Sequence, residues 1–135
     1  MKLSNLSVLA ILSLTSATLY PDTETTVRCS DTNQLGQDVV KSKLGEMCDV
    51  LVGSHNQLVG KGGCMDLGFD AYEYYVYNIN NVDGARTLDK ATCTRFFKDV
   101  LNCPRGGQMT TGRTQWHFRG IPRTEKCQEN LPQPN

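Results

Sequence analysis

The chain has 135 residues, with 14 basic and 14 acidic side chains, so its formal net charge is zero. This length fits one domain and excludes a chain of several. The charges are unevenly spread: residues 18–85 hold four Lys or Arg against ten Asp or Glu, whereas residues 86–135 hold nine against four. The basic half is either a surface for an anionic ligand or a solvated face, and we take the solvated face as the simpler interpretation.

The N-terminal residues have the pattern of a secretory signal peptide. Lys2 precedes an apolar run at residues 6–14, and small residues follow up to Ala17. A helix needs about 20 apolar residues to span a bilayer, and this run is shorter. We therefore expect cleavage after residue 17. Because no second apolar run follows, we predict a secreted, extracellular protein without a membrane span.

All six cysteines lie in the predicted mature chain. An even number in an oxidising compartment favours three disulfides, each contributing about 2–4 kcal/mol. Zinc is the rival use, but zinc-binding cysteines usually lie about two to four residues apart. Here the closest pair, Cys93 and Cys103, is ten residues apart. We therefore expect disulfides, no metal and no other cofactor.

The first half of the mature chain predicts a strand, a helix and a second strand. Residues 25–29 are rich in β-branched side chains and predict a short strand. Apolar residues recur at helical spacing over residues 34–51, which predicts one helix that stops near Gly53. We expect residues 53–63 to form a loop or the edge of a hairpin. The tyrosine-rich residues 71–79 predict a central strand, because both faces carry apolar bulk.

The second half predicts a turn, a helix and a closing strand. Asparagine, aspartate and glycine at residues 80–84 predict the turn. A helix should begin with Thr87 or Asp89 as its cap, and a glycine turn should follow it. The alternating residues 114–119 predict the last strand, which we expect Pro122 to end.

The order of these elements predicts an α+β fold. We expect a small two-layer α/β sandwich, in which two helices pack on one face of an antiparallel sheet and three disulfides hold the layers. The domain should span residues 18–127, with Cys127 pinning its end. Residues 128–135 should form a disordered tail.

Two segments supply the candidate ligand-binding residues. Carbohydrate sites place an aromatic ring against the apolar side of a sugar and surround it with polar groups. The tyrosine-rich strand and the last strand offer both kinds of side chain. We expect Trp116 to lie in the core, because Phe118 shares its face. The candidates are Tyr72, Tyr74, Tyr75, Tyr77, Asn78, Asn80, Gln115, His117 and Arg119.

The sequence offers little catalytic machinery. It lacks a Gly-x-Ser-x-Gly nucleophile turn and a His-Glu-x-x-His zinc motif, and bonded cysteines cannot act as nucleophiles. A secreted ribonuclease would need an acid, a base and an arginine for the phosphate. His117, Arg119 and Glu73 could fill those roles, but any chain of this size offers such a set. We therefore expect a protein that is not an enzyme.

One stretch is more specific than composition. It runs from Cys93 through a predicted helix to the turn Cys103-Pro104-Arg105-Gly106-Gly107, and continues to Trp116-His117-Phe118 and a closing Cys127. The stretch resembles small secreted fungal proteins, which include glycan-binding lectin-like proteins and, more distantly, killer-toxin-like and candidate-effector domains. The resemblance covers about the last 35 residues well. It implies a small α/β sandwich and glycan binding, but it carries over no site residue.

The resemblance also implies one pairing of the cysteines among the alternatives. It joins Cys29 to Cys103, Cys48 to Cys93, and Cys64 to Cys127.

The sequence as a whole predicts a monomeric binding protein whose partner is a glycan or a host cell-surface component. Nucleic acid is not an expected partner. A killer-toxin-like virulence protein is the first alternative, and a secreted ribonuclease using His117, Arg119 and Glu73 is the second.

Overall fold

The computed structural model describes residues 25–33, 35–36, 38–68, 70–79, 84–112 and 114–128. The predicted signal peptide, the candidate Asn80 and tail residues 129–135 lie outside these ranges. The described elements are β1 (Thr26–Cys29), α1 (Asp38–Ser42), α2 (Leu44–Leu51), β2 (Gly53–His55), β3 (Gly60–Asp66), β4 (Ala71–Asn78), β5 (Arg86–Leu88), α3 (Lys90–Leu101), β6 (Gly107–Thr110) and β7 (Trp116–Arg123).

Five strands form one sheet in the order β1-β6-β7-β4-β3, and every neighbouring pair is antiparallel. Strands β2 and β5 form a separate antiparallel pair. Helices α2 and α3 pack against each other and against the same face of the large sheet. The predicted α+β fold, with helices on one face of an antiparallel sheet, is therefore confirmed. None of the described helices is long and apolar enough to cross a membrane.

The core lies between the helices and this inner face. Phe97 of α3 is fully buried, and its ring centroid lies 5.9 Å from that of Phe118 on β7 and 6.5 Å from that of Tyr74 on β4. Trp116 is also buried, with its ring edge-on to His55 at 5.3 Å. Each such side chain contributes about 1.5–3 kcal/mol through burial. The apolar half of each alternating strand thus faces the helices, as the alternation of β7 predicts.

Strand β3 contains three glycines, and residues 60–63, which were predicted as a loop or the edge of a hairpin, form the edge strand of a hairpin with β4. Glycine is a poor strand former because it has no side chain to pack. Here the neighbouring strand supplies the packing, since each glycine faces a tyrosine whose ring crosses over it. A Cβ atom at any of the three would lie closer than 3.0 Å to that tyrosine. The cross-strand pairs are Gly60–Tyr77, Gly62–Tyr75 and Gly63–Tyr74.

The single helix predicted over residues 34–51 is wrong, because α1 and α2 are separate. Lys43 lies between them with φ −97° and ψ 5°. Its N–H donates to the carbonyl of Val40, three residues back, at 3.0 Å, and the Ser42 hydroxyl donates to the Val39 carbonyl at 2.7 Å. These tighter local bonds compete with regular helical bonding and interrupt the helix.

Two strand boundaries also differ from expectation. The last strand begins at Trp116 rather than residue 114, because Gln115 has a positive φ of 53° and Trp116 donates its N–H to the Thr111 hydroxyl at 2.9 Å. Pro122 does not end β7, which continues to Arg123. The pairing of β6 with β7 stops at Gly120, so the proline lies where the strand has a neighbour on one side only.

Three disulfides hold the fold together, and all six cysteines are bonded. Cys48–Cys93 joins α2 to α3 in the core, with the Cα atoms 5.8 Å apart. Cys29–Cys103 joins β1 to the end of the α3 segment, and Cys64–Cys127 joins β3 to the C-terminal segment. This is the pairing that the resemblance implied.

Candidate functional site

The outer face of the sheet, opposite the helices, carries the polar half of each alternating strand. On β4 this half includes Glu73, Tyr75 and Tyr77, and on β7 it includes His117 and Arg119. The β4–β7 register places Tyr77 opposite His117 and Tyr75 opposite Arg119. The outer face therefore brings together four of the candidates that the sequence singled out.

Tyr75 and Tyr77 form an aromatic pair on this face. Their ring centroids lie 6.5 Å apart with the planes inclined by 28°. Both side chains are partly exposed, and both rings lie over the glycines of β3. Burial raises the pKa of the Tyr75 hydroxyl and the Glu73 carboxylate raises it further, so the ring stays neutral at physiological pH. The tyrosine pair is thus an aromatic surface whose position the underlying strand fixes.

His117 lies beside this pair. Its ring centroid is 6.0 Å from that of Tyr77, and its Nδ1 atom makes a 3.0 Å hydrogen bond with the Thr110 hydroxyl of β6. Partial burial lowers the pKa of His117 below its usual 6.5, and the positive charge of Arg119 lowers it further. The imidazole is therefore neutral at pH 7 and serves as a hydrogen-bonding group rather than a cation.

Next to these side chains, Arg28, Gln108 and Arg119 stand side by side on β1, β6 and β7. Two strand spacings separate the Cα atoms of the two arginines, a distance of about 10 Å. The three side chains line an open depression of about 390 Å³, together with Ser30, Thr32 and Asn33. We call this the arginine depression. Within the part of the chain that the structure describes, neither arginine has an ion-pair partner.

Glu73 occupies the other end of the outer face and is already paired. Its carboxylate accepts hydrogen bonds from Arg123 at 2.8 Å and from the Tyr75 hydroxyl at 3.2 Å. The Glu73 side chain is only 8% exposed. It borders a second open depression of about 400 Å³, lined by Arg123 and Lys126 among others. A buried carboxylate needs such partners to offset its loss of hydration. The Glu73 carboxylate is therefore held by Arg123 and the Tyr75 hydroxyl.

Several predicted site residues lie elsewhere. Tyr72, Tyr74 and Asn78 face the helices and are buried, and the Asn78 amide donates to the His55 carbonyl at 3.0 Å. The prediction that these three residues bind a ligand is wrong, because helices cover that side of the sheet. Gln115 is half-buried in the turn before β7, where its carbonyl accepts from the N–H of residue 79 at 2.9 Å.

Arg28 and Gln108 were not among the site residues predicted from the sequence. They lie on strands β1 and β6, which are distant in the chain, and only β1 was predicted as a strand. Alternation within residues 26–29 and 107–110 would have placed Arg28 and Gln108 on the same side as Thr26 and Thr110. The described residues contain no cluster of three or more His, Cys, Asp or Glu that could hold a metal ion.

No protein-family model matches the sequence, and a search of curated proteins gives no significant match.

Proposed function

We propose that this is a secreted glycan-binding protein and that the outer face of its sheet holds the ligand. The observation that carries the proposal is the partly exposed Tyr75–Tyr77 pair on the outer face. Aromatic rings bury the apolar side of a sugar ring and leave its hydroxyl groups free to bond elsewhere. The pair has polar neighbours on its β7 side, with His117 and Thr110 in one row across the strands and Arg119 and Gln108 in the next.

The glycines of β3 support this use of the tyrosines. A ring lying over a glycine has no side chain beneath it to push it aside, and the contact limits its motion. Partners that are already ordered lose less conformational entropy on binding. The aromatic surface therefore exists before the ligand arrives.

Secretion belongs to the same proposal. The N-terminal segment has the features of a signal peptide, and three disulfides suit an oxidising compartment. The resemblance to lectin-like secreted proteins agrees with this interpretation.

The geometry favours binding over ribonuclease chemistry. Glu73 lies four residues before Tyr77, which is the residue opposite His117. The Cα atoms of Glu73 and His117 are therefore about 13 Å apart along the strand direction. A general acid and a general base must both reach one reacting group. The ion pair with Arg123 also holds Glu73 toward the far end of β7. No described observation favours the killer-toxin alternative, which stays a prediction.

A glycan array with the secreted, disulfide-bonded protein tests the proposal, followed by affinity measurements on the best ligand. Tyr77→Ala should weaken binding about tenfold, since it removes one stacking surface. Tyr77→Phe keeps the ring and should retain most of the affinity. Val50→Ala, at an exposed position of α2 on the other layer, is the control. The proposal fails if no glycan binds, or if Tyr77→Ala binds as tightly as Val50→Ala while near-UV circular dichroism shows a native fold.

A further inference from the structure

The charged side chains that line the arginine depression are both positive. Among the described residues, its six polar side chains comprise two arginines, one glutamine, one serine, one threonine and one asparagine, without a carboxylate. Asp31 lies between two of the lining residues in sequence but does not line the depression. Guanidinium groups only donate hydrogen bonds, and they bind carboxylates in a two-pronged geometry. A depression with this lining attracts an anion.

The depression lies next to the tyrosine pair, because Arg119 is one of its lining residues. Arg119 lies directly opposite Tyr75 across the β4–β7 ladder, and directly opposed residues in antiparallel strands have Cα atoms about 5 Å apart. An anion bound by Arg119 therefore lies beside whatever ring covers Tyr75. On a uronic acid, the carboxylate is attached directly to the sugar ring, which fits this short spacing. In a nucleotide, the ribose separates the phosphate from the base, so a stacked base would hold its phosphate farther away.

We propose that the arginine depression binds the carboxylates of a uronic-acid-containing glycan, which makes acidic polysaccharide the ligand class. This inference rests on the proposed glycan-binding function. Arg119 holds the carboxylate of the sugar that stacks on Tyr75. Arg28, two strands away, holds the carboxylate of another sugar in the same chain.

The test compares two forms of one oligosaccharide, a galacturonic acid oligomer and the same oligomer with its carboxylates methyl-esterified. The ester keeps every ring and hydroxyl group but removes the charge. Titration calorimetry at 150 mM salt should show the acid form binding about tenfold or more tightly than the ester, because charge-assisted hydrogen bonds are lost. Equal affinities for the two forms would overturn the inference.

Variants locate the anion site. Arg119→Gln and Arg28→Gln should each weaken binding of the acid form about tenfold and weaken binding of the ester much less. Arg95→Gln makes the same chemical change at an exposed position of α3, on the helical layer, and should have no effect. If all three variants bind the acid form alike, the anion is bound elsewhere and the inference fails.

Two further outcomes separate this inference from the proposed function. A protein that binds neutral glycans through Tyr77 but not the galacturonic acid oligomer retains the proposed function and refutes the anion site. A single-stranded RNA oligonucleotide that binds more tightly than the acid oligomer, with the same dependence on Arg28, would refute both and assign the surface to nucleic acid.

Discussion

The replacement of Gly62 by alanine tests the tyrosine–glycine packing that holds β3 in the sheet. The new Cβ atom would lie 2.5 Å from the backbone carbonyl oxygen of Tyr74 and against the ring of Tyr75. The ring can rotate away, but the carbonyl belongs to the neighbouring strand. It cannot retreat without disturbing the β3–β4 register. We therefore expect Gly62→Ala to destabilise the fold even though alanine is the better strand former.

The expected magnitude follows from the cost of overpacking. Forcing one extra methyl group into a packed position costs about 1–3 kcal/mol, and the fixed carbonyl places this site in the upper part of that range. Gly45 in α2 is the matched control, because a Cβ there meets nothing within 4 Å. Gly45→Ala should stabilise the protein by about 0.5–1 kcal/mol, since alanine is the better helix former. The same chemical change should therefore have opposite signs at the two sites.

Urea unfolding of the disulfide-bonded protein measures both values, with the fluorescence of the buried Trp116 as the signal. The slope of the free energy of unfolding against urea concentration should be the same for all variants, so that a shift in the unfolding midpoint reports a change in stability. Gly62→Ala in a Tyr75→Ala background separates the two contacts, and most of the cost should persist there because the carbonyl clash remains. The reasoning is refuted if Gly62→Ala is as stable as the wild type, or if both glycine variants shift the midpoint in one direction.

Three further perturbations test the core, the titrating groups and a helix cap. Replacing both Cys48 and Cys93 by alanine removes the α2–α3 disulfide and should lower the free energy of unfolding by about 2–4 kcal/mol in the same urea assay; an unchanged midpoint would contradict this. Burial lowers the pKa values of His55 and His117 from 6.5, so the unfolded chain binds more protons just below that pH. The free energy of unfolding should therefore fall as the pH drops from 7.5 to 5.5, and a flat profile in urea titrations would argue against it. Asp89 caps α3 by accepting a hydrogen bond from a backbone N–H at 2.7 Å. Asp89→Ala should therefore lower the midpoint of thermal unfolding, whereas Asp89→Asn should lower it much less because asparagine also caps helices. Equal decreases in the midpoint for the two variants would contradict the cap.

The elements that the sequence predicted well carry strong local patterns. Helix α3 has an apolar stripe and a capping aspartate, and β4 and β7 combine alternation with bulky side chains. The sequence left residues 60–63 of β3 open between a loop and the edge of a hairpin, because the interactions that make them a strand are not local. Residues 60–63 are extended because tyrosines of the next strand cover their glycines. The break between α1 and α2 at Lys43 was missed although its cause is local, because a few hydrogen bonds decide it and the apolar spacing continues across it.

The candidate site was half predictable for a related reason. Alternation correctly grouped Tyr75 and Tyr77 on one side of β4, but a strand with tyrosines on both faces does not reveal which face the helices cover. That choice depends on tertiary packing, and it moved Tyr72 and Tyr74 into the core. Arg28 joined the site through the pairing of β1 with β6, a contact between distant parts of the chain.

If the proposed function holds, strand β4 links stability to binding. The inner tyrosines of β4 close the core, and the outer tyrosines cover the glycines that let β3 pair closely. A substitution that loosens β3 should also disorder the aromatic surface, whereas a change at Arg28 on the opposite edge should leave the fold intact. Stability and glycan affinity should thus decline together for changes at Gly60 or Gly62 and separately for changes in the arginine depression. This difference allows folding defects to be distinguished from binding defects, because only the former would move the unfolding midpoint.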